Sequence, residues 1–115
     1  MKGIHHVSIN VSDVNAARDF YVDILELELL ERPDFGFPGA WLRSGDQEVH
    51  LIGIDSGTPL KEQHFAFRVD DLAGVSQKLE AAGVKVSRPN EIAGICVQAF
   101  THDPSGNMIE FNQQL

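Results

Sequence analysis

Apolar and polar residues alternate in two stretches of the chain, and the two stretches resemble each other. The first is "HVSINVSD" at 6–13, in which Val7, Ile9 and Val11 share one face, and the second is "HFAFRVDD" at 64–71. A period of two residues is typical of a half-buried β-strand. Each stretch opens with a histidine on its more polar face and ends in an aspartate seven positions later. This self-similarity predicts an internal repeat.

A helical pattern follows each predicted strand. Asp13 and Asp71 precede these patterns and are predicted to be N-caps that accept orphan backbone N–H groups, rather than catalytic carboxylates. Gly83 is predicted to end the second helix. The apolar residues at helical spacing are Val14, Ala17, Phe20, Tyr21 and Ile24 in the first, and Leu72, Val75, Leu79 and Ala82 in the second.

Three further strands are predicted after each helix, so each half of the chain has the order βαβββ. The predicted class is α+β, a single domain over 1–115 with one module at about 1–55, a linker at 55–63 and a second module at about 63–115. Neither half is long enough to bury a large core by itself. The further strands are predicted at 27–32, 40–44 and 48–54 in the first module, and at 84–88, 95–102 and 107–113 in the second.

The first and last strands of both modules carry side chains of the kind that bind metals. His6 and His50 lie on the polar faces of the first module, and His64 and Glu110 occupy the matching places in the second. If the two twisted sheets curl toward each other, the four side chains converge. Three imidazoles and one carboxylate suit a divalent metal such as zinc, nickel, iron or manganese.

Each of these residues also has a structural interpretation. A single histidine on a strand is more often a hydrogen-bonded structural residue than a ligand, and Glu110 between Ile109 and Phe111 resembles an edge-strand charge that blocks aggregation. Their matching places in two repeats favour the metal site. His5 is in phase with the apolar face and is expected to point away from the predicted metal cavity. His102 is expected at the protein surface or at the rim of that cavity.

Charge and cysteine content narrow the partners. The formal net charge is −8, which argues against nucleic acid or an anionic membrane, because both attract a positive surface. The one cysteine, Cys96, excludes an intrachain disulfide and is compatible with a reducing compartment. The first ten residues lack the apolar run of a signal peptide, so a cytoplasmic location is expected.

Four segments carry a family resemblance: "HHVSINVSDVNAARDFYVDILEL", "EVHLI", "HFAFRVDDL" and "DPSGNMIEF". With them the chain resembles the vicinal oxygen chelate superfamily, which contains glyoxalases, bleomycin resistance proteins and extradiol dioxygenases. The resemblance implies two βαβββ modules that form a U-shaped, partly open, barrel-like sheet around one divalent metal. It places the four ligands on His6, His50, His64 and Glu110. It also implies a homodimer, and leaves open whether each site lies within one chain or between two.

Departures from the family pattern limit what the resemblance implies about the reaction. Glyoxalase I enzymes usually carry a carboxylate or amide where this chain has His50, and they are usually longer. The basic and hydroxyl residues of fosfomycin-resistance enzymes are not evident in "NEIAGICVQAF". Extradiol dioxygenases often carry further modules and a site tyrosine, whereas Tyr21, the only tyrosine, has a core-like phase.

The expected function is a metal-dependent enzyme of the isomerase or lyase type that acts on a small oxygen-bearing molecule, with Glu110 as ligand and possible base. Arg68, Asn10 and Trp41 are candidates for substrate contact, and a solvated strand-end charge is an equally good interpretation of Arg68. One alternative is a non-haem iron dioxygenase that uses His6, His64 and Glu110. Another is a metal-free protein that binds a bleomycin-type drug.

Overall fold

A computed structural model describes all 115 residues, and the chain divides into two compact units, Met1–Thr58 and Pro59–Leu115. Each unit contains one four-stranded mixed sheet and one α-helix in the order βαβββ. The α+β class and the repeat of two such modules are therefore confirmed. Neither sheet closes into a barrel. No helix has the length and apolar character needed to cross a membrane.

The elements of the first unit are β1 (His6–Val11), α1 (Val14–Asp19), a π-helical turn (Phe20–Ile24), β2 (Glu28–Leu30), β3 (Gly39–Ser44) and β4 (Gln47–Gly53). The strand order is β1-β4-β3-β2, with β1 parallel to β4 and the other pairs antiparallel. Its core contains the buried residues Leu42, Val49 and Leu51 of the sheet, Ala17 of α1 and Tyr21 of the π-helical turn.

The elements of the second unit are β5 (His64–Arg68), α2 (Leu72–Ala81), β6 (Asn90–Ile92), β7 (Cys96–His102) and β8 (Met108–Gln114). They repeat the topology of the first unit with the strand order β5-β8-β7-β6, and β5 is parallel to β8. Leu72 and Leu79 of α2 are buried, as are Ala99, Ile109 and Phe111 of the sheet. Cys96 is also buried and free.

The strand predicted at 84–88 is wrong. The second strand of this unit is Asn90–Ile92, and segment 84–88 contributes only an isolated bridge between Val86 and Thr101. The Ser87 hydroxyl accepts the Phe100 N–H at 2.8 Å, which takes a backbone donor out of a regular ladder. Pro89, which lacks an N–H, then restricts the conformation of the residue before it.

The helix ends agree with the sequence analysis. The Asp13 carboxylate accepts the Ala16 N–H, and the Asp71 carboxylate accepts the Gly74 N–H, each at 3.0 Å. Both predicted N-caps are thus confirmed. Gly83 follows α2 with φ of 76°, a left-handed conformation that glycine adopts without steric cost.

Replacing Asp71 by alanine should lower the free energy of unfolding by about 0.5–2 kcal/mol, because the Gly74 N–H loses its acceptor at the start of α2. Chemical denaturation of wild type and variant measures the difference. Asp70→Ala is the matched control, since Asp70 is exposed and outside the helix. Equal losses in the two variants would contradict the capping role.

Candidate functional site

His6 and His50 lie side by side in the first unit. Their rings stack with centroids 4.0 Å apart and an angle of 17° between planes. The register between β1 and β4 places Ser8 opposite His50, so His6 stands two residues before the residue paired with His50. Because side chains alternate across a strand, His6, Ser8 and His50 point to the same face, opposite the core. The shared face predicted for these two histidines is present.

His50 is held by two neighbours. Trp41 lies directly opposite on β3, and its ring stacks on the imidazole with centroids 4.6 Å apart. His50 Nε2 donates to Glu48 Oε1 at 2.9 Å, which leaves the lone pair on Nδ1. The hydrogen bond from His50 is the main cause that lowers the pKa of Glu48. Desolvation raises this pKa in part, and the charges of His5, His50 and Arg43 lower it further.

His5 differs from its prediction. Its Nδ1 lies 2.9 Å from His6 Nδ1, and the two rings meet edge to face with centroids 5.1 Å apart. The regular strand begins only at His6, so the alternation that placed His5 on the apolar face does not extend to it. His5 therefore contacts the His6 ring at Nδ1 instead of pointing away from it.

His64 and Glu110 form the corresponding pair in the second unit. Ala66 lies opposite Glu110, so His64 again stands two residues before the residue paired with the ligand candidate. His64 Nε2 is 3.1 Å from Glu110 Oε1, and Asn112 Nδ2 donates to Glu110 Oε2 at 2.9 Å. Glu110 is only 7% exposed. A carboxylate is rarely buried to this extent without a specific partner.

The two nitrogens of His64 both face hydrogen-bond acceptors. Nδ1 lies 2.8 Å from the carbonyl oxygen of Glu62, and Nε2 faces the Glu110 carboxylate. Glu62 has φ of 68°, an uncommon value for a residue other than glycine, and this conformation belongs to the segment that brings its carbonyl to His64. With the Nδ1 proton donated to Glu62, the Nε2 lone pair and a carboxylate oxygen face each other, which requires a proton or a metal cation between them. A neutral imidazole, a backbone carbonyl behind it and a carboxylate fit a divalent metal.

Asp103 is a second buried carboxylate in this unit, but its contacts are those of a turn. It is 4% exposed, and Oδ1 accepts the backbone N–H groups of Ser105 and Asn107 at 2.9 Å each. Oδ2 accepts from Asn107 Nδ2 at 2.9 Å. Backbone donors satisfy this carboxylate, so Asp103 shapes the turn before β8.

The other predicted residues occupy varied positions. Arg68 is exposed at the end of β5, and Asn10 Nδ2 donates to Ser56 Oγ at 3.3 Å, while Trp41 contacts His50 directly. His102 is exposed at the end of β7. The structure brings His6 to His50 and His64 to Glu110, and within either unit it assembles no group of three or more His, Cys, Asp or Glu side chains able to hold a metal.

Sequence reasoning missed four neighbours of these pairs. Glu48 and Asn112 each lie two residues from a ligand candidate on the same strand face, so the alternation used to find His50 and Glu110 could have found them. The carbonyl of Glu62 had no such signal, because it depends on a backbone angle. Phe100 also pairs with Glu110 across β7 and β8, in the place that Trp41 has beside His50.

Comparisons with known proteins agree with the α+β fold of two βαβββ modules. Residues 3–111 match the family model of the Glyoxalase/Bleomycin resistance protein/Dioxygenase superfamily. The chain is 32% identical to Glyoxylase I 4 of Arabidopsis thaliana, covering 96% of this chain and 70% of that protein. It is 32% identical to the lactoylglutathione lyase of Haemophilus influenzae, covering 94% and 90%. A glyoxalase family protein from Bacillus anthracis has the same fold with a TM-score of 0.89 at 28% identity, covering 100% of this chain and 97% of that one.

Proposed function

The chain belongs to the Glyoxalase/Bleomycin resistance protein/Dioxygenase superfamily, and from that premise we propose that it is a metal-dependent enzyme of the isomerase or lyase type. Its substrate is a small molecule with an oxygen atom able to bind the metal. The proposed ligands are the four residues predicted from the sequence, His6, His50, His64 and Glu110.

The observation that carries the proposal is the pair of acceptors at His64 and Glu110. The Glu62 carbonyl lies 2.8 Å from His64 Nδ1 and Glu110 Oε1 lies 3.1 Å from His64 Nε2, so a metal cation, or a proton in its absence, is needed between Nε2 and the carboxylate. Histidine ligands of metals commonly donate their second N–H to a carbonyl or carboxylate in this way. His50 has an analogous support, with Glu48 on Nε2 and Nδ1 left as the donor atom.

Each of the proposed site residues would have a distinct role in the reaction. A divalent metal, when bound, supplies electrophilic stabilisation of negative charge on a substrate oxygen. Once released from the metal, Glu110 Oε1 would take a proton from a substrate carbon beside that oxygen and return it to the neighbouring atom. Asn112 keeps the carboxylate in place through Oε2 while Oε1 exchanges the proton. Arg68, exposed on the strand that begins with His64, is the candidate in the second unit for contact with a further polar or anionic group of the substrate.

Metal analysis of protein purified without added metal tests this proposal, followed by reloading with zinc, nickel, manganese or iron(II). We expect one metal per site and turnover of a hemithioacetal or an epimerisable acid. Oxygen consumption on catechols by the iron form, without isomerisation, would instead establish the dioxygenase alternative. Failure to bind any metal would contradict the proposal and favour a metal-free binding protein. Sedimentation of the same samples tests the expected homodimer.

Replacing Glu48 by alanine should weaken metal binding by about 10- to 100-fold, the usual effect of removing a residue that orients a ligand. The reason is that His50 loses the acceptor for its Nε2–H and with it a fixed tautomer. Competition with a chromogenic chelator measures the affinity. Glu28→Ala is the matched control, because Glu28 is in the same cross-strand row and pairs with Arg43 at 3.2 Å in an exposed ion pair. An equal loss in both variants would show a general effect of charge.

A further inference from the structure

A row of aromatic rings extends from the histidine pair across the outer face of the first unit. Trp41 stacks on His50, and Phe35 lies next to Trp41 with ring centroids 5.9 Å apart. Phe37 continues the row, 6.0 Å from Phe35 and nearly parallel to it. Phe35 is 51% exposed and Phe37 is 46% exposed, so this end of the row is open to solvent rather than part of the core. Grouped aromatic rings on a surface mark a binding site more often than scattered ones do.

A cation stands at the open end of this row. The Arg32 guanidinium lies 5.0 Å from the ring centroids of both Phe35 and Phe37, and its Nη1 donates to the Phe37 carbonyl at 3.2 Å. Gly39 provides the space, because a Cβ there would lie 2.8 Å from Arg32 Nη2. The side chain is therefore held in one place by aromatic contacts, a hydrogen bond and a missing side chain.

Arg32 has no carboxylate partner. Arg43 pairs with Glu28 at 3.2 Å and Arg18 with Asp19 at 3.7 Å, but no acidic oxygen lies within 4.0 Å of Arg32. The chain has 17 acidic residues against nine Lys and Arg, so acidic partners are plentiful. A fixed guanidinium with donors to spare in such a protein is suited to an anion from outside the chain.

The surroundings leave room for such an anion. Arg32 and Gly39 border a cavity of about 690 Å³ that Trp41, Phe35 and Phe37 do not line, so it leaves space beside the guanidinium and not beside the rings. The two carboxylates that also line it are engaged, since Asp13 caps α1 and Asp55 Oδ1 accepts the Gly57 N–H at 3.1 Å. The remaining arginine of the cavity, Arg18, is paired with Asp19. Arg32 is thus the cation available to a ligand there.

We infer that Arg32, Trp41 and Phe35 form a binding site for a flat, conjugated carboxylate, with the ring system against the aromatic row and the carboxylate on the guanidinium. Neighbouring rings of the row are tilted by 24° and 44° to each other, so an aromatic ligand can pack against them face-on or edge-on, and a carboxylate matches the two-pronged donor geometry of arginine. The inference rests on the proposed function, because Trp41 contacts His50, and it names the substrate class of that site.

The test uses cinnamate with chelator-treated protein, so that the outcome does not depend on a metal. Isothermal titration compares cinnamate with cinnamyl alcohol, which is flat but neutral, and with cyclohexanecarboxylate, which is anionic but not flat. We expect cinnamate to bind about 10-fold or more tightly than cinnamyl alcohol, the ratio that one charge-assisted hydrogen bond supplies. We expect it to bind about 2- to 10-fold more tightly than cyclohexanecarboxylate, which keeps the charge and loses the contact between aromatic rings. Trp41 is the only tryptophan, so its indole N–H resonance should move when cinnamate binds. Equal binding of the three compounds, or an unmoved indole signal, would overturn the inference.

Two variants test whether Arg32 supplies the positive charge that binds the carboxylate. Arg32→Gln should weaken cinnamate binding about 10-fold or more and leave the binding of cinnamyl alcohol unchanged. Arg43→Gln is the matched control, because Arg43 lies two residues from Trp41 and already pairs with Glu28, so cinnamate affinity should stay at the wild-type value. Equal weakening in both would refute a specific role for Arg32. Metal content of Arg32→Gln should equal that of wild type, so a failure of this site is distinguishable from a failure of the metal site.

Discussion

Glu110→Gln should lower the affinity of the protein for a divalent metal by more than about 100-fold, because even residues that only orient a ligand contribute about 10- to 100-fold. The substitution keeps the size of the side chain and its hydrogen-bonding capacity, and removes the negative charge that faces His64 Nε2. Turnover should fall with metal occupancy and should not recover at saturating metal, since glutamine cannot accept the transferred proton.

The variant is expected to fold, which makes its metal affinity interpretable. The amide can still accept from Asn112 and can donate to the His64 lone pair, so no buried polar atom loses its partner. His64→Ala should produce a comparable loss of metal. Glu91→Gln provides the control, because Glu91 is an exposed carboxylate on β6 of the same unit. Wild-type metal affinity in Glu110→Gln and His64→Ala would rule out the ligand role of this pair.

The fold and the pairing of candidate residues could be predicted because both depend on patterns that a sequence displays directly. Alternation assigns each strand residue to a face, and the repeat assigns each residue of the first module a counterpart in the second. Both units place the histidine two residues before the residue opposite the second ligand candidate. That offset follows from the corresponding strands of the two units having the same parallel register.

What the sequence could not predict depends on backbone angles and on bonds between distant groups. Glu62 has a left-handed conformation that directs its carbonyl to His64. This conformation is usual for glycine or asparagine and not for glutamate, so the sequence does not predict it. The apolar residues of the π-helical turn at Phe20–Ile24 have the spacing of an ordinary α-helix, so the pattern does not distinguish the two. Segment 84–88 has the composition of a strand, yet the Ser87 side chain takes the N–H of Phe100 that a strand carbonyl would have accepted.

Phe111→Ala should destabilise the protein by about 3–5 kcal/mol, the usual cost of removing a buried phenylalanine ring. Phe111 is 2% exposed and its ring lies parallel to that of Phe67, with centroids 6.1 Å apart. For a chain of this size that loss corresponds to a fall of about 10–20 °C in Tm, measured by calorimetry. Phe37→Ala is the matched control, because its ring is 46% exposed and its removal leaves no cavity in a core. A change below about 1 kcal/mol in Phe111→Ala would mean that this ring does not belong to the core.

Substitutions at the neighbouring positions Glu110 and Phe111 should have different effects, because Glu110 is a proposed metal ligand and Phe111 belongs to the core of the same unit. Their side chains point to opposite faces of β8, so Phe111 packs in the apolar core while Glu110 faces His64. At temperatures where Phe111→Ala is still folded, its metal affinity should remain close to that of wild type, whereas Glu110→Gln should lose the metal with little change in apo-protein stability. A large loss of metal affinity in folded Phe111→Ala would show that the position of Glu110 depends on core packing beneath it, and not only on its hydrogen bonds to His64 and Asn112.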